Sequence, residues 1–487
     1  MDVEKHYQDA VAKLNGLQSN AKTIAEMREK RQEMAALNMK ETHFYMNALG
    51  ITDDKLDLLR AVHVSGTKGK GTTCAYVESI LRHHGLRTGF YSSPHLVHVR
   101  ERIRIDGKSI SKEKFATRFF EVYEIVEQTS KLHNVVMPAY FKFLTLMAFY
   151  TYLKEEVDVA IIEVGIGGEY DSTNVLRSPV VTGITTLDID HTSILGSTIP
   201  EIAWHKAGIM KPKIPCFTVP QSSEAWKVFE KRAAERSTSI RECVDFDEYQ
   251  WSSDVQKYVE EHGQHHKFNI ALAVELAKTW LRNQKHCDGL NEMNGSGDHT
   301  RVNKIVEEAI LETKWMGRSQ VLKNGNITYH LDGAHTPKSI QYCADWFSYA
   351  LEKRVDSFTG LRILIFHCTA DRDPMTLLPI LTSRIRFDLA LFCPTRLVPV
   401  LDPRNDNTNL NQSEDEQWKK CLRARDTWKT LTNTDEAETY VCISDCVKRV
   451  HSLAENNAEV QVLVTGSLHL VGGVLNFEGN EIFGPKD

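Results

Sequence analysis

Three glycines, two lysines and three threonines fall within eight residues, Gly66-Thr67-Lys68-Gly69-Lys70-Gly71-Thr72-Thr73. A short apolar stretch, Ala61 to Val64, leads into them, and a helical pattern follows that ends near Gly85. Strand, glycine loop and helix in that order suit the binding of a phosphate. Backbone N–H groups without bulky neighbours, the positive end of the helix dipole and the Lys70 ammonium converge where one anion would sit. Gly71 separates Lys70 from Thr72, a departure from the commoner G-x-x-x-x-G-K-[ST] spacing. A purely structural turn would also use glycine for its freedom at φ > 0, but it has no need of the lysine and threonine that follow.

Other residue types able to do chemistry stand near the ends of predicted strands. Glu163 lies between Ile162 and Val164 near the end of the apolar run Val157 to Gly165. A carboxylate there is costly unless it is paired or binds a metal. Beside a phosphate loop its natural use is to hold Mg²⁺ with the Thr72 hydroxyl, the alternative being a structural helix cap. His191 follows Asp190 on a loop after another predicted strand, either as a ligand or as a structural residue. Lys206 sits in the apolar helix IAWHKAGIM, where a solvated lysine would be unremarkable. Asp332 and His335 end a predicted strand further on, and Arg318 precedes them as a cation suited to a phosphate. His262, His265 and His266 lack acids or cysteines at ligand spacing, and are expected on the surface.

The elements that must carry these residues alternate. Strands are expected at Arg87 to Ser92, Val157 to Gly165, Val180 to Leu187 and Ile214 to Val219, with helices at Phe115 to Lys131, Tyr140 to Glu156 and about Pro200 to Met210. This predicts a doubly wound, mainly parallel α/β domain over residues 1–314, its ligands at the carboxyl ends of the strands. A hairpin turning at Asn324-Gly325-Asn326 opens a second, smaller α/β domain of Rossmann-like type over 315–487, with strands at Arg362 to His367, Phe387 to Cys393 and Val460 to Thr465. The polar, glycine-rich NEMNGSGDHTR at 291–301 is expected to be an exposed excursion, and Asp402 to Glu416 a mobile surface loop.

A chain of 487 residues exceeds what one core usually serves. Its net charge of −6 gives no support to a general nucleic-acid binder, and no apolar run is long enough to span a bilayer. The first residues are acidic and amphipathic and lack the character of a leader, so a cytoplasmic protein is expected, a mitochondrial form requiring an alternative leader. The ten cysteines are scattered without C-x-x-C and are expected to be reduced, mostly buried thiols.

Taken together, the segments resemble the folylpolyglutamate synthases of the Mur ligase superfamily. The resemblance rests on GTKGKGTT (66–73), FYSSPHLVHVRERIRIDG (90–107), MPAYFKFLTLMAF (137–149), EVGIGGEYDSTN (163–174), LDIDHTSILG (187–196), IAWHKAGIMK (202–211), LDGAHTPKS (331–339), DRDP (371–374) and VLVTGSLHLVGGVL (462–475). It implies an enzyme that uses ATP and Mg²⁺ to phosphorylate the side-chain carboxylate of a folate's terminal glutamate, after which the amine of L-glutamate attacks the acyl phosphate. By that resemblance Gly66 to Thr73 hold the phosphates, Thr72 and Glu163 bind one Mg²⁺, and Glu163 and His191 a second. Lys206 matches a lysine often carbamylated in the superfamily, and Asn269 a position that contacts the nucleotide base. Arg318, Asp332 and His335 match the second domain's contribution to ATP binding, and Ser93, Pro94 and His95 a loop by the folate pocket. Lys70, His191 and Lys206 are the implied catalytic residues. The implied partners are tetrahydrofolate with its polyglutamates and L-glutamate, bound by a monomer. Met316 stands where the family usually has proline, and Ala370 where it usually has glycine.

Two alternatives stay open at this point. Dihydrofolate synthase, alone or in a bifunctional enzyme, runs the same chemistry on dihydropteroate. A nucleotide-gated switch would merely hydrolyse its nucleotide, though the chain has no N-K-x-D base-reading motif and a switch has no use for the DGAH segment.

Overall fold

The computed structural model describes residues 2–18, 31–283, 302–353, 360–369, 372–400, 402–408 and 413–479. The chain divides into two compact units. The first takes Met1–Ser93, Arg100–Tyr258 and His265–Lys314, and the second takes Pro94–Val99, Val259–Gln264 and Trp315–Asp487. Two short strips within 1–314 thus belong to the second unit, where a contiguous split at 314 had put them in the first.

The first unit is built on a sheet of eight strands: β1 Val62–Ser65, β2 Thr88–Tyr91, β3 Ile103–Ile105, β4 Lys108–Ser109, β5 Val159–Glu163, β6 Val181–Ile184, β7 Cys216–Thr218 and β8 Ile240–Glu242. Their spatial order is β4-β3-β2-β5-β1-β6-β7-β8. From β2 to β8 every pairing is parallel, whereas β3 and β4 join antiparallel. Strands β1, β2, β5 and β6 are buried at every residue, as expected where a parallel sheet is covered on both faces. Three helices matter for the site: α1 Lys70–His83, which follows β1, α2 Ile199–Lys206 and α3 His265–Arg282.

The second unit carries β9 Gln320–Asn324, β10 Ile327–Leu331, β11 Leu361–Phe366, β12 Leu389–Phe392, β13 Ala437–Thr439 and β14 Val460–Thr465. They lie in the order β13-β12-β11-β14-β10-β9, with only the β9–β10 hairpin antiparallel. Alternation sends Ile363 and Ile365 into one apolar cluster and Leu364 and Phe366 into another, so both faces of this sheet are packed.

Two expectations need correction. His266 is buried, with its Nδ1 2.6 Å from the Tyr76 hydroxyl, so the histidine cluster is not wholly a surface feature. A single apolar-periodic helix places it on the inner face, where a tyrosine supplies the partner that a buried imidazole needs. The stretch 402–416 is not one loop, because a helix capped by Ser413 begins at Glu414. Before it, Asp406 accepts from the Val99 N–H at 2.7 Å and its carbonyl lies 2.9 Å from His95 Nε2. The segment 291–301, the turn at Ala370 and residues 409–412 lie outside the described residues.

Candidate active site

The loop between β1 and α1 is shaped by two glycines. Gly66 has φ 140° and Gly69, the N-cap of α1, has φ 86°. A Cβ on Gly66 would stand 1.8 Å from Thr185 Oγ1, and one on Gly69 would stand 2.1 Å from Asn269 Oδ1. Both positions therefore exclude a side chain on conformational and on steric grounds. Gly71 is the second residue of α1. The first intrahelical bond runs from the Thr73 N–H to the Gly69 carbonyl at 2.8 Å. The amides before Thr73 in α1 have no acceptor within the helix, and Gly69 offers no side-chain cap. An anion placed there would meet those donors, the helix dipole and Lys70 together.

Parallel register aligns Glu163, the last residue of β5, with Val64 of β1, two positions before Gly66. Glu163 is 5% exposed, and its carboxylate accepts the Ser93 N–H at 3.1 Å. Thr72 is buried in the first turn of α1. Burial drives up the thiol of neighbouring Cys74, with Glu163 adding to the rise and Lys70 opposing it, so both charges act on the same spot.

Lys206, unremarkable in its own helical context and singled out by the family resemblance, is buried at the end of α2, where its Nζ donates to the Gly66 carbonyl at 2.6 Å. Burial holds its ammonium far below the usual lysine range. Lys70 and Lys68 push the same way, and Asp190 and Asp171 partly offset them. A carbamate forms from the neutral amine, the form that this burial favours.

Asp171 is a residue that the sequence reading passed over. Its carboxylate is buried and takes N–H bonds from Ile166 and Thr173 and the Thr173 hydroxyl at 2.6 Å. Burial raises its pKa, against the pull of those donors and of Lys70. Thr173 Oγ1 in turn lies 2.9 Å from Nε2 of the fully buried His63. The clue available in the sequence was an acid next to a Ser-Thr-Asn run.

His191 stands on the loop after β6, at φ 52°, with its N–H on Asp190 Oδ1. Asn269 of α3 lies against the glycine loop, its Oδ1 3.4 Å from Thr73 Oγ1. Gly66 to Thr73, Glu163, His191, Lys206, Asn269 and Ser93 thus belong to the first unit, whereas Pro94 and His95 fall in the second.

In the second unit Asp332, buried beyond β10, accepts the Ser319 and Ala334 N–H groups at 2.8 and 2.9 Å. Burial raises its pKa while the Arg318 guanidinium lowers it. His335 Nδ1 lies 2.6 Å from the Gly333 carbonyl. Gly317 at φ 71° and Ser319 at φ 43° bracket Arg318 in a tight turn, so the arginine keeps its place without a proline at 316.

Among the described residues, no three His, Cys, Asp or Glu side chains gather as a metal-binding group. One buried carboxylate and a threonine hydroxyl still fit Mg²⁺, which retains water and takes most of its remaining ligands from substrate phosphates. A metal held by protein alone does not fit.

No family model matches the chain. A Caenorhabditis elegans protein whose name gives it as a folylpolyglutamate synthase is 45% identical over 483 residues, covering 97% of this chain and 92% of its own. The mitochondrial folylpolyglutamate synthase of Homo sapiens is 38% identical over 544 residues, covering 96% of this chain and 91% of its own. The crystal structure of Mycobacterium tuberculosis folylpolyglutamate synthase with ADP and AMPPCP superposes with a TM-score of 0.71 at 22% identity, over 92% of this chain and 96% of that one. With a phosphate-loop α/β unit, a second α/β unit and relatives of this identity over nearly its whole length, the chain belongs to the folylpolyglutamate synthase family.

Proposed function

We propose that this chain joins L-glutamate in γ-linkage to tetrahydrofolate and its polyglutamates, at the expense of ATP. Its family membership supports that reading, and so does one local observation. The amides at the start of α1 lack acceptors within the helix, and Lys70 and Glu163 both act on Cys74 in the next turn.

A carboxylate is a poor acyl donor, so it must first be phosphorylated. That step brings two anions together, and charge neutralisation dominates it. The loop from Gly66 to Thr73 takes the phosphates, its amides from Gly69 onward and the Lys70 ammonium making the direct contacts. Thr72 and Glu163 would hold Mg²⁺, with His191 beside a second ion. Bound there, the metal would neutralise charge on the transferring phosphoryl group. Lys206, carrying a carbamate, would add an anion facing that metal. Asn269 serves the base, Arg318, Asp332 and His335 serve the nucleotide, and Ser93, Pro94 and His95 serve the folate. The protein acts as a monomer in the cytosol. Nine described cysteines are buried free thiols, the state that a reducing compartment maintains. No helix of the described residues is long and apolar enough to cross a membrane.

The test is incubation with ATP, Mg²⁺ and L-glutamate, with either tetrahydrofolate or dihydropteroate. Product should form on tetrahydrofolate. Product on dihydropteroate alone would assign dihydrofolate synthase, and full phosphate release without glutamate would favour a switch. In the same assay Lys70→Ala should lower ligation by at least about a hundredfold.

A further inference from the structure

The loop leaving β6 is bonded to the phosphate loop along its length. Thr67 and Lys68 both donate their N–H groups to the Thr186 carbonyl at 3.0 Å, and Thr67 Oγ1 donates to the Asp188 carbonyl at 3.2 Å. Lys68 Nζ then reaches Asp190 Oδ2 at 3.0 Å, while Asp190 Oδ1 accepts the His191 N–H at 3.0 Å. His191 is held at φ 52°, a conformation uncommon for a residue with a side chain. Its carbonyl accepts from the Ile194 and Leu195 N–H groups at 2.8 Å each. One carboxylate therefore bridges the second lysine of the phosphate loop and the backbone of a proposed metal-site residue.

We infer that Lys68 is a positioning residue, not a phosphate ligand: through Asp190 it fixes the backbone of His191 relative to the glycine loop. Both its backbone N–H and its ammonium are directed to the β6 exit loop. The side chains of Lys68 and Asp190 are 18% and 8% exposed. Swinging Lys68 away to a phosphate would break its 3.0 Å ion pair with a largely shielded carboxylate, which is unfavourable. Lys70, for which no such partner is seen among the described contacts, is left to meet the phosphates. This role rests on the proposed use of His191 in the phosphoryl-transfer step.

The experiment compares Lys68→Ala, Lys68→Arg, Asp190→Asn and the Lys68→Ala/Asp190→Asn pair in the full chain. Amide hydrogen exchange at Ile194 and Leu195 is followed without nucleotide or metal, and kcat, KM for ATP and half-saturating Mg²⁺ are followed in ligation. Lys68→Ala should speed exchange at both amides roughly tenfold and lower kcat about 10- to 100-fold, with KM for ATP within about threefold of wild type. Half-saturating Mg²⁺ should rise. Lys68→Arg should restore most of kcat, and the double variant should lose no more than either single variant, because both act on one contact. A tenfold rise in KM for ATP at unchanged kcat would make Lys68 a phosphate ligand and overturn the inference, as would additive losses or unchanged exchange. If Lys68→Ala does not fold, Lys68→Arg and Asp190→Asn carry the same comparison. Absence of ligation by the wild type would count against the proposed reaction alone, since the exchange measurement does not depend on it.

Discussion

Among single residues, the histidine of β1 has the most direct consequence in solution. His63 is fully buried, and burial with the nearby Lys211 charge pushes its pKa down to about 3. The native ring stays neutral where an unfolded histidine, near 6.5, would take up a proton. Stability tied to His63 is therefore complete above pH 6.5 and falls as pH drops toward 3. Between pH 7 and pH 5 the loss should be about 2 kcal/mol. His63→Gln, which can keep a bond to Thr173, should lack that loss, and urea unfolding at the two pH values measures the difference. His63 reads in the sequence as one polar residue in a short strand, and nothing local marks its burial. The same blindness hid Asp171, and Lys206 stood out only through the family resemblance. Whether a lysine in an apolar helix faces water or a neighbouring carbonyl is decided by what packs on it, here the Gly66 carbonyl.

At the scale of elements, the strand–glycine loop–helix unit was legible because its residue types are dictated by backbone geometry. Gly69 shows how strictly. Gly69→Ala would place a methyl group against Asn269 Oδ1 and force a left-handed alanine. We expect destabilisation of at least about 1–2 kcal/mol, and a larger loss of ATP affinity as the helix start shifts. Adding Asn269→Ala should relieve the clash but not the backbone cost, so it should recover only part of the stability in thermal unfolding. The hairpin at Asn324-Gly325-Asn326 was legible for a similar reason, since glycine at φ 60° closes it. Less legible were the antiparallel β3 and β4, of only three and two residues, and β8, with no buried residue. Such short strands at or next to a sheet edge are defined by what they pair with and by little in their own composition.

For the whole molecule, the sequence indicated two α/β parts but not how the chain is shared between them. It passes from one unit to the other five times, after Ser93, Val99, Tyr258, Gln264 and Lys314. Leu96 and Val97 belong to the apolar core of the second unit, where Leu96 packs on Gly317 and Gly472. The loss of two such side chains from a core costs several kcal/mol, comparable with the stability of a domain this size. A fragment beginning at Trp315 should therefore expose apolar surface and aggregate, and supplying residues 94–99 as a linked segment should improve its solubility, measurable by size-exclusion chromatography. The same weaving bears on heredity. A recombination crossover at any single point leaves one parent's Leu96 facing another parent's Gly472 whenever it falls between them, so shuffled genes of this family should survive best where both strips and the C-terminal half come from one parent.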